Sequence, residues 1–103
     1  MNHIPVEFMT ELYEAFLNIP DKETAENFLN DLCTAKELEQ MAQRVRAAKL
    51  LLEGKTYQQV IQETDISSAT LSRVSRCIQY GEGGYASVLK TPSAGDENRA
   101  EKA

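Results

Sequence analysis

Apolar residues return along the chain at helical spacing, and each apolar run is closed by a recognisable stop. Met9, Leu12, Tyr13, Phe16 and Leu17 fall at i, i+3, i+4, i+7 and i+8, one stripe along a first helix. Ile19-Pro20-Asp21 ends it, because the residue before a proline is pushed out of helical geometry. Ala25, Phe28, Leu29, Leu32 and Cys33 make a second stripe, with Asp21 as its N-cap and Glu23 near the positive end of the helix dipole. Thr34-Ala35-Lys36-Glu37 has the form of a capping box and opens a third helix over roughly residues 35–53. Leu38, Met41, Ala42, Val45, Ala48 and Leu52 stripe that helix, and Gly54 stops it.

Two shorter helices follow. Thr56 to Gln59 is another capping box, after which Val60 and Ile61 face inward. Thr64-Asp65-Ile66 breaks the pattern and Ser67 caps the next helix. Ile66, just before that cap, and Leu71, at the fourth helical position, form a hydrophobic staple that sets how the chain enters the helix. Leu71, Val74, Ser75 and Ile78 are its inward face, and Tyr80 to Gly84 ends it. Tyr85 to Leu89 suits one further short turn or strap. From Thr91 to Ala103 the composition shifts to Pro, Ser, Gly, Asp, Glu and Lys, which reads as a disordered polar tail over 91–103. The pattern therefore predicts an all-α fold, a small helical bundle over 1–90, with no strand and no internal repeat.

The two capped helices over about 56–80, joined by about four residues, form a candidate helix-turn-helix. The first must pack across the second through Val60, Ile61, Ile66 and Leu71, leaving a face of the second free to enter the major groove. Ser68, Ala69, Thr70, Ser72, Arg73 and Arg76 suit that face, being small, hydroxyl-bearing or cationic. Hydroxyls contact phosphates or bases, methyls touch the thymine methyl, and arginine reads guanine or grips phosphate. Gln58, Gln59 and Gln62 are placed to reach the adjacent backbone. The same residues also describe an ordinary helix pair with a solvated Ser- and Arg-rich face.

Charge placement bears on that choice. Residues 1–43 carry two bases against nine acids, residues 44–80 six bases against three acids, and residues 81–103 three against four, within a chain of net charge -5. A basic segment inside an acidic protein is a local electrostatic footprint for nucleic acid. Other classes fare worse. At 103 residues, 42% hydrophobic and 26% charged, the composition fits one small soluble domain. No apolar run approaches the roughly 20 residues a membrane span needs, and Met1 to Pro5 shows no secretory pattern. Cys33 and Cys77 lack metal-ligand spacing and the lone histidine is His3, so two reduced thiols in a cytoplasmic protein are expected, with no metal. There is no Ser/His/Asp set, phosphate-cradling glycine loop or paired-carboxylate site, so the chain does not read as an enzyme.

The runs Thr34-Ala35-Lys36-Glu37-Leu38, Arg44-Val45-Arg46, Leu51-Leu52-Glu53-Gly54 and Ala69-Thr70-Leu71-Ser72-Arg73 resemble the Trp repressor family, most of all its YerC/YecD-type branch. The resemblance spans roughly residues 8–90. It implies an intertwined homodimer that binds a palindromic operator in double-stranded DNA and acts as a transcriptional repressor. Met9, Leu12, Phe16, Phe28, Leu32, Leu38, Met41 and Val45 would then contribute to a pooled core, with the recognition helices some 34 Å apart. It also implies tryptophan or a related small corepressor, held by Arg44 and Arg73 with Thr34 lining the pocket. The chain departs from tryptophan-dependent members at Val74 and Cys77, where they carry glycine and serine, and at Asp31 and Cys33, where theirs are apolar. A valine fills room that a flat ring needs. The alternative is a helical dimeric interaction protein that keeps the fold without specific DNA binding, which suits the acidic N-terminal stretch.

Overall fold

The structure, a computed structural model, describes residues 3–89; the expected polar tail over 91–103 lies outside the described residues. Those residues form six helices and no strand: α1 (Val6–Leu17), α2 (Lys22–Leu32), α3 (Ala35–Leu52), α4 (Tyr57–Thr64), α5 (Ser68–Tyr80) and α6 (Gly84–Val88). The chain divides into two compact units, Met1–Leu38 and Glu39–Ala103.

The N-terminal unit is built from local caps rather than from a core. The N–H groups of Phe8 and Met9 donate to the Pro5 carbonyl at 3.0 and 3.3 Å, which starts α1 without a side-chain cap. Asp21 caps α2 by accepting the Thr24 N–H at 2.8 Å. That bond, seconded by the Thr24 hydroxyl, holds the Asp21 carboxyl below its ordinary 3.8. Thr34 and Glu37 close the expected box at the start of α3: the Glu37 N–H donates to Thr34 Oγ1 at 3.1 Å and the Thr34 N–H to Glu37 Oε1 at 2.8 Å. Neither α1 nor α2 contains a buried residue. Phe16 and Phe28 meet edge-to-face, ring centroids 5.8 Å apart, yet Val6, Phe8 and Leu17 stay 78%, 63% and 83% exposed. The stripes are amphipathic as read, and their apolar side is only partly covered: Met9, Leu12, Phe28 and Leu29 are half-buried, while Tyr13, Phe16, Leu17 and Leu32 are exposed.

The second unit has a true interior. Ala47, Leu50, Val60, Ile66 and Leu71 form one buried cluster, flanked by half-buried Leu51 and Ile61. Ala47 and Ala48 of α3 are both wholly buried. The helix ends in a Schellman arrangement, the Lys55 N–H returning to the Leu50 carbonyl and the Gly54 N–H to that of Leu51. Gly54 there has φ +96°, a conformation that glycine adopts without penalty. The α4 capping box is complete, with the Gln59 N–H donating to Thr56 Oγ1 and the Thr56 N–H to Gln59 Oε1.

Only Asp65, Ile66 and Ser67 join α4 to α5, one fewer than expected. The Thr64 hydroxyl donates to the Val60 carbonyl at 2.7 Å, which keeps Thr64 in the last turn of α4, and Asp65 makes the bend alone at φ 61°. Ile66 and Leu71 are 2% and 0% exposed, so the staple is closed.

Replacing Leu71 by alanine empties the centre of this cluster and should lower stability by about 2–5 kcal/mol, read as a shift of the urea midpoint. Thr56→Ala removes only a cap and should cost about 1 kcal/mol in the same assay. Because the folded-state pKa of Asp21 is lowered, its cap stabilises α2 above about pH 3.8 and is lost as pH falls through the lower folded value. A carbon-detected NMR titration of Asp21 should give a midpoint below 3.8; a midpoint at or above it would contradict the capping bond.

Candidate nucleic-acid interface

What α5 shows to solvent is decided by what it buries. Leu71, Val74 and Ser75 are 0%, 1% and 5% exposed, so the opposite side of the helix must face out. Ala69, Ser72, Arg73 and Arg76 lie on that outer side and are exposed, as is Ser68 at the first helical position. The helix carries two arginines and no acidic residue, so its outer face carries only positive charge and, from Ser68 to Arg76, is otherwise small or hydroxyl-bearing.

Thr70 is half-buried. Its N–H donates to Ser67 Oγ at 3.1 Å, and the Ser67 hydroxyl donates to Thr70 Oγ1 at 2.8 Å, which leaves the Thr70 hydroxyl proton free to donate outward. On α4, Gln58 and Gln62 are exposed; Gln59 is also exposed, but its Oε1 is engaged by the Thr56 N–H, so only its amide donors are available. The structure thus brings eight of the nine proposed DNA-contacting residues to the surface of α4 and α5, with Thr70 partly covered.

The helix pair is tied to α3 by polar contacts that periodicity does not reveal. Gln43 Nε2 donates to the Thr64 carbonyl at 3.0 Å, satisfying a group at the exposed end of α4. Arg46 and Glu63 approach to 3.5 Å with half-exposed side chains, a pairing worth little in water. Glu39, Ala42, Gln43, Arg46, Thr64 and Asp65 line a shallow groove there, which includes none of the proposed corepressor residues.

Those three residues divide between the units. Thr34 belongs to the N-terminal unit, where its side chain caps α3. Arg44, half-buried, and Arg73, exposed, belong to the second, and neither forms an ion pair among the described residues. Val74 is part of the interior of α5, its isopropyl group wholly packed.

Comparison with known proteins agrees with this architecture. The sequence profile of the Trp repressor protein family matches residues 7–93. The chain belongs to the Trp repressor family. It is 41% identical over 81 residues to the uncharacterized protein YerC of Bacillus subtilis (strain 168), covering 79% of this chain and 78% of that one. A crystal structure of a candidate Trp repressor from Staphylococcus aureus aligns with a TM-score of 0.78 at 36% identity, covering 82% of this chain and 85% of that one. The crystal structure of a TrpR-like protein from Eubacterium eligens ATCC 27750 aligns with a TM-score of 0.80 at 34% identity, covering 85% and 95%. The fold of this Trp repressor family member is therefore all-helical, as its capping pattern implies.

Sequence reasoning passed over Gln43 and Tyr80. Nothing local marks Gln43, whose partner lies 21 residues away. Tyr80, 80% exposed, continues the spacing of the outer face of α5 and could have been found by extending that stripe to the end of the helix. Gln43→Ala should cost about 1 kcal/mol in a urea melt through the unpaired Thr64 carbonyl, whereas Arg46→Ala should stay below that.

Proposed function

We propose that this Trp repressor family member is a sequence-specific DNA-binding regulator, a homodimer that represses by occupying a palindromic operator through the helix-turn-helix over 56–80. The observation that supports this most directly is the outer face of α5: cationic, free of carboxylates and of bulky aliphatic groups along Ala69, Ser72, Arg73 and Arg76, and held rigidly by the buried side of the same helix. Ser68, Ala69, Thr70, Ser72 and Arg73 supply base-edge contacts near the helix N-terminus. Arg73, Arg76, Lys49 and Lys55, together with the amides of Gln58, Gln59 and Gln62, supply phosphate contacts, so affinity falls with salt.

The homodimer rests on the N-terminal unit. Helices α1 and α2 contain no fully buried residue, while Val6, Phe8, Leu17 and Leu32 are at least half exposed. Burial between two copies would remove that apolar surface from water at about 25 cal/mol per Å². By the family resemblance, Arg44 and Arg73 suit a carboxylate-bearing corepressor. The packed Val74 favours a ligand smaller than tryptophan, or a phosphate role for the arginines. A second reading, a helical interaction protein without specific DNA binding, is favoured by the nine acids against two bases in residues 1–43.

Selection of genomic fragments by the full chain at moderate salt, with and without tryptophan, separates these readings. A palindrome should be enriched without added tryptophan; no enrichment in either arm supports a different corepressor or the interaction protein. Arg73→Ala should then weaken operator binding by about 1–3 kcal/mol. Unchanged affinity would remove α5 from the DNA.

A further inference from the structure

We propose that Tyr80 is a phosphate-backbone anchor at the trailing end of the recognition helix, its phenol hydroxyl donating to a phosphate oxygen of double-stranded DNA. The inference rests on the DNA-binding reading of α5 and adds to it a contact at the far end of that helix.

Tyr80 is 80% exposed, although α6 packs against α5. An aromatic ring this open gains nothing from burial, and among the described residues it has neither a hydrogen-bond partner nor an aromatic neighbour. It follows Ala69, Arg73 and Arg76 at i+4, i+7 and i+11, so it prolongs the same outward stripe. The geometry then suggests what it meets. Eleven residues of helix are about 16 Å long, and the major groove is about 12 Å wide. With the N-terminal residues of α5 at base edges, a side chain that far along the axis lies past the groove wall, level with a sugar–phosphate strand. A neutral phenol can donate one hydrogen bond there, and its rigid ring loses little conformational freedom in doing so.

The chain around Tyr80 holds it in that position. The Gly81 N–H donates to the Cys77 carbonyl at 2.9 Å, completing the last turn. A Cβ at position 81 would run into that same carbonyl oxygen, so any other residue would push the turn apart. Glycine lets the chain leave the helix immediately after Tyr80 while Tyr80 itself stays helical.

The test is Tyr80→Phe in the full chain, which keeps the ring and removes only the hydroxyl. Binding is read across a salt series on a duplex from the selection and on a shuffled duplex of the same composition, with sedimentation reporting the assembly state. The variant should bind both duplexes about 3–10-fold more weakly, as expected for one lost hydrogen bond. Its salt slope should match that of the unsubstituted protein, because a neutral donor displaces no counterion, whereas Arg76→Ala should reduce the slope by about one. Unaltered binding overturns the proposal while leaving α5 at the DNA. Loss on the selected duplex alone overturns it in favour of a base contact, and a changed assembly state in favour of a contact between copies. If the unsubstituted protein binds neither duplex, the DNA-binding reading fails and this inference with it.

Discussion

The burial of Leu71 against Ile66, Val60, Leu50 and Ala47 is the constraint on which the second unit depends. A helix can turn about its own axis at little cost until one side chain is locked, and each residue of slip rotates it by about 100°. With Leu71 locked and Ile66 stapled ahead of it, Val74 and Ser75 are carried inward and Ala69, Arg73 and Arg76 outward. A slip of two residues would take Arg73 to the interior position, where an unpaired guanidinium has no solvation. The apolar cluster therefore does more than stabilise: it chooses which face of α5 meets solvent. The Ser67 cap and the single left-handed residue Asp65 set where α5 begins, so orientation and start are fixed by separate local devices.

How far this was legible follows from the range of each interaction. Caps, staple and Schellman stop span three to five residues, so their signatures are written contiguously, and the starts of α2, α4 and α5 were readable from Asp21, Thr56 and Ser67. The outer face of α5 was readable for the same reason, since periodicity places Ser68, Ala69, Ser72, Arg73 and Arg76 once Leu71 and Val74 are inward. The length of the turn was not, because it depends on whether the Thr64 hydroxyl bonds to Val60 or to water. Nor was the Gln43 anchor, a contact between distant residues that no spacing rule anticipates. The stripes of α1 and α2 mark an apolar side correctly but do not say what covers it.

The net charge of -5 looks adverse for a DNA-binding protein, yet the sum is the wrong quantity. At physiological salt the screening length is about 8 Å, so exposed charges further apart than that scarcely feel each other. What a phosphate strand meets first is the composition of the surface pressed against it, and α5 contributes two arginines with no carboxylate. The acids crowd instead into residues 1–43, where nine stand against two bases. If α5 reads DNA, the arginines supply the attraction, and the uncharged hydroxyls and methyls between Arg73 and the start of α5 are the groups through which selectivity would act.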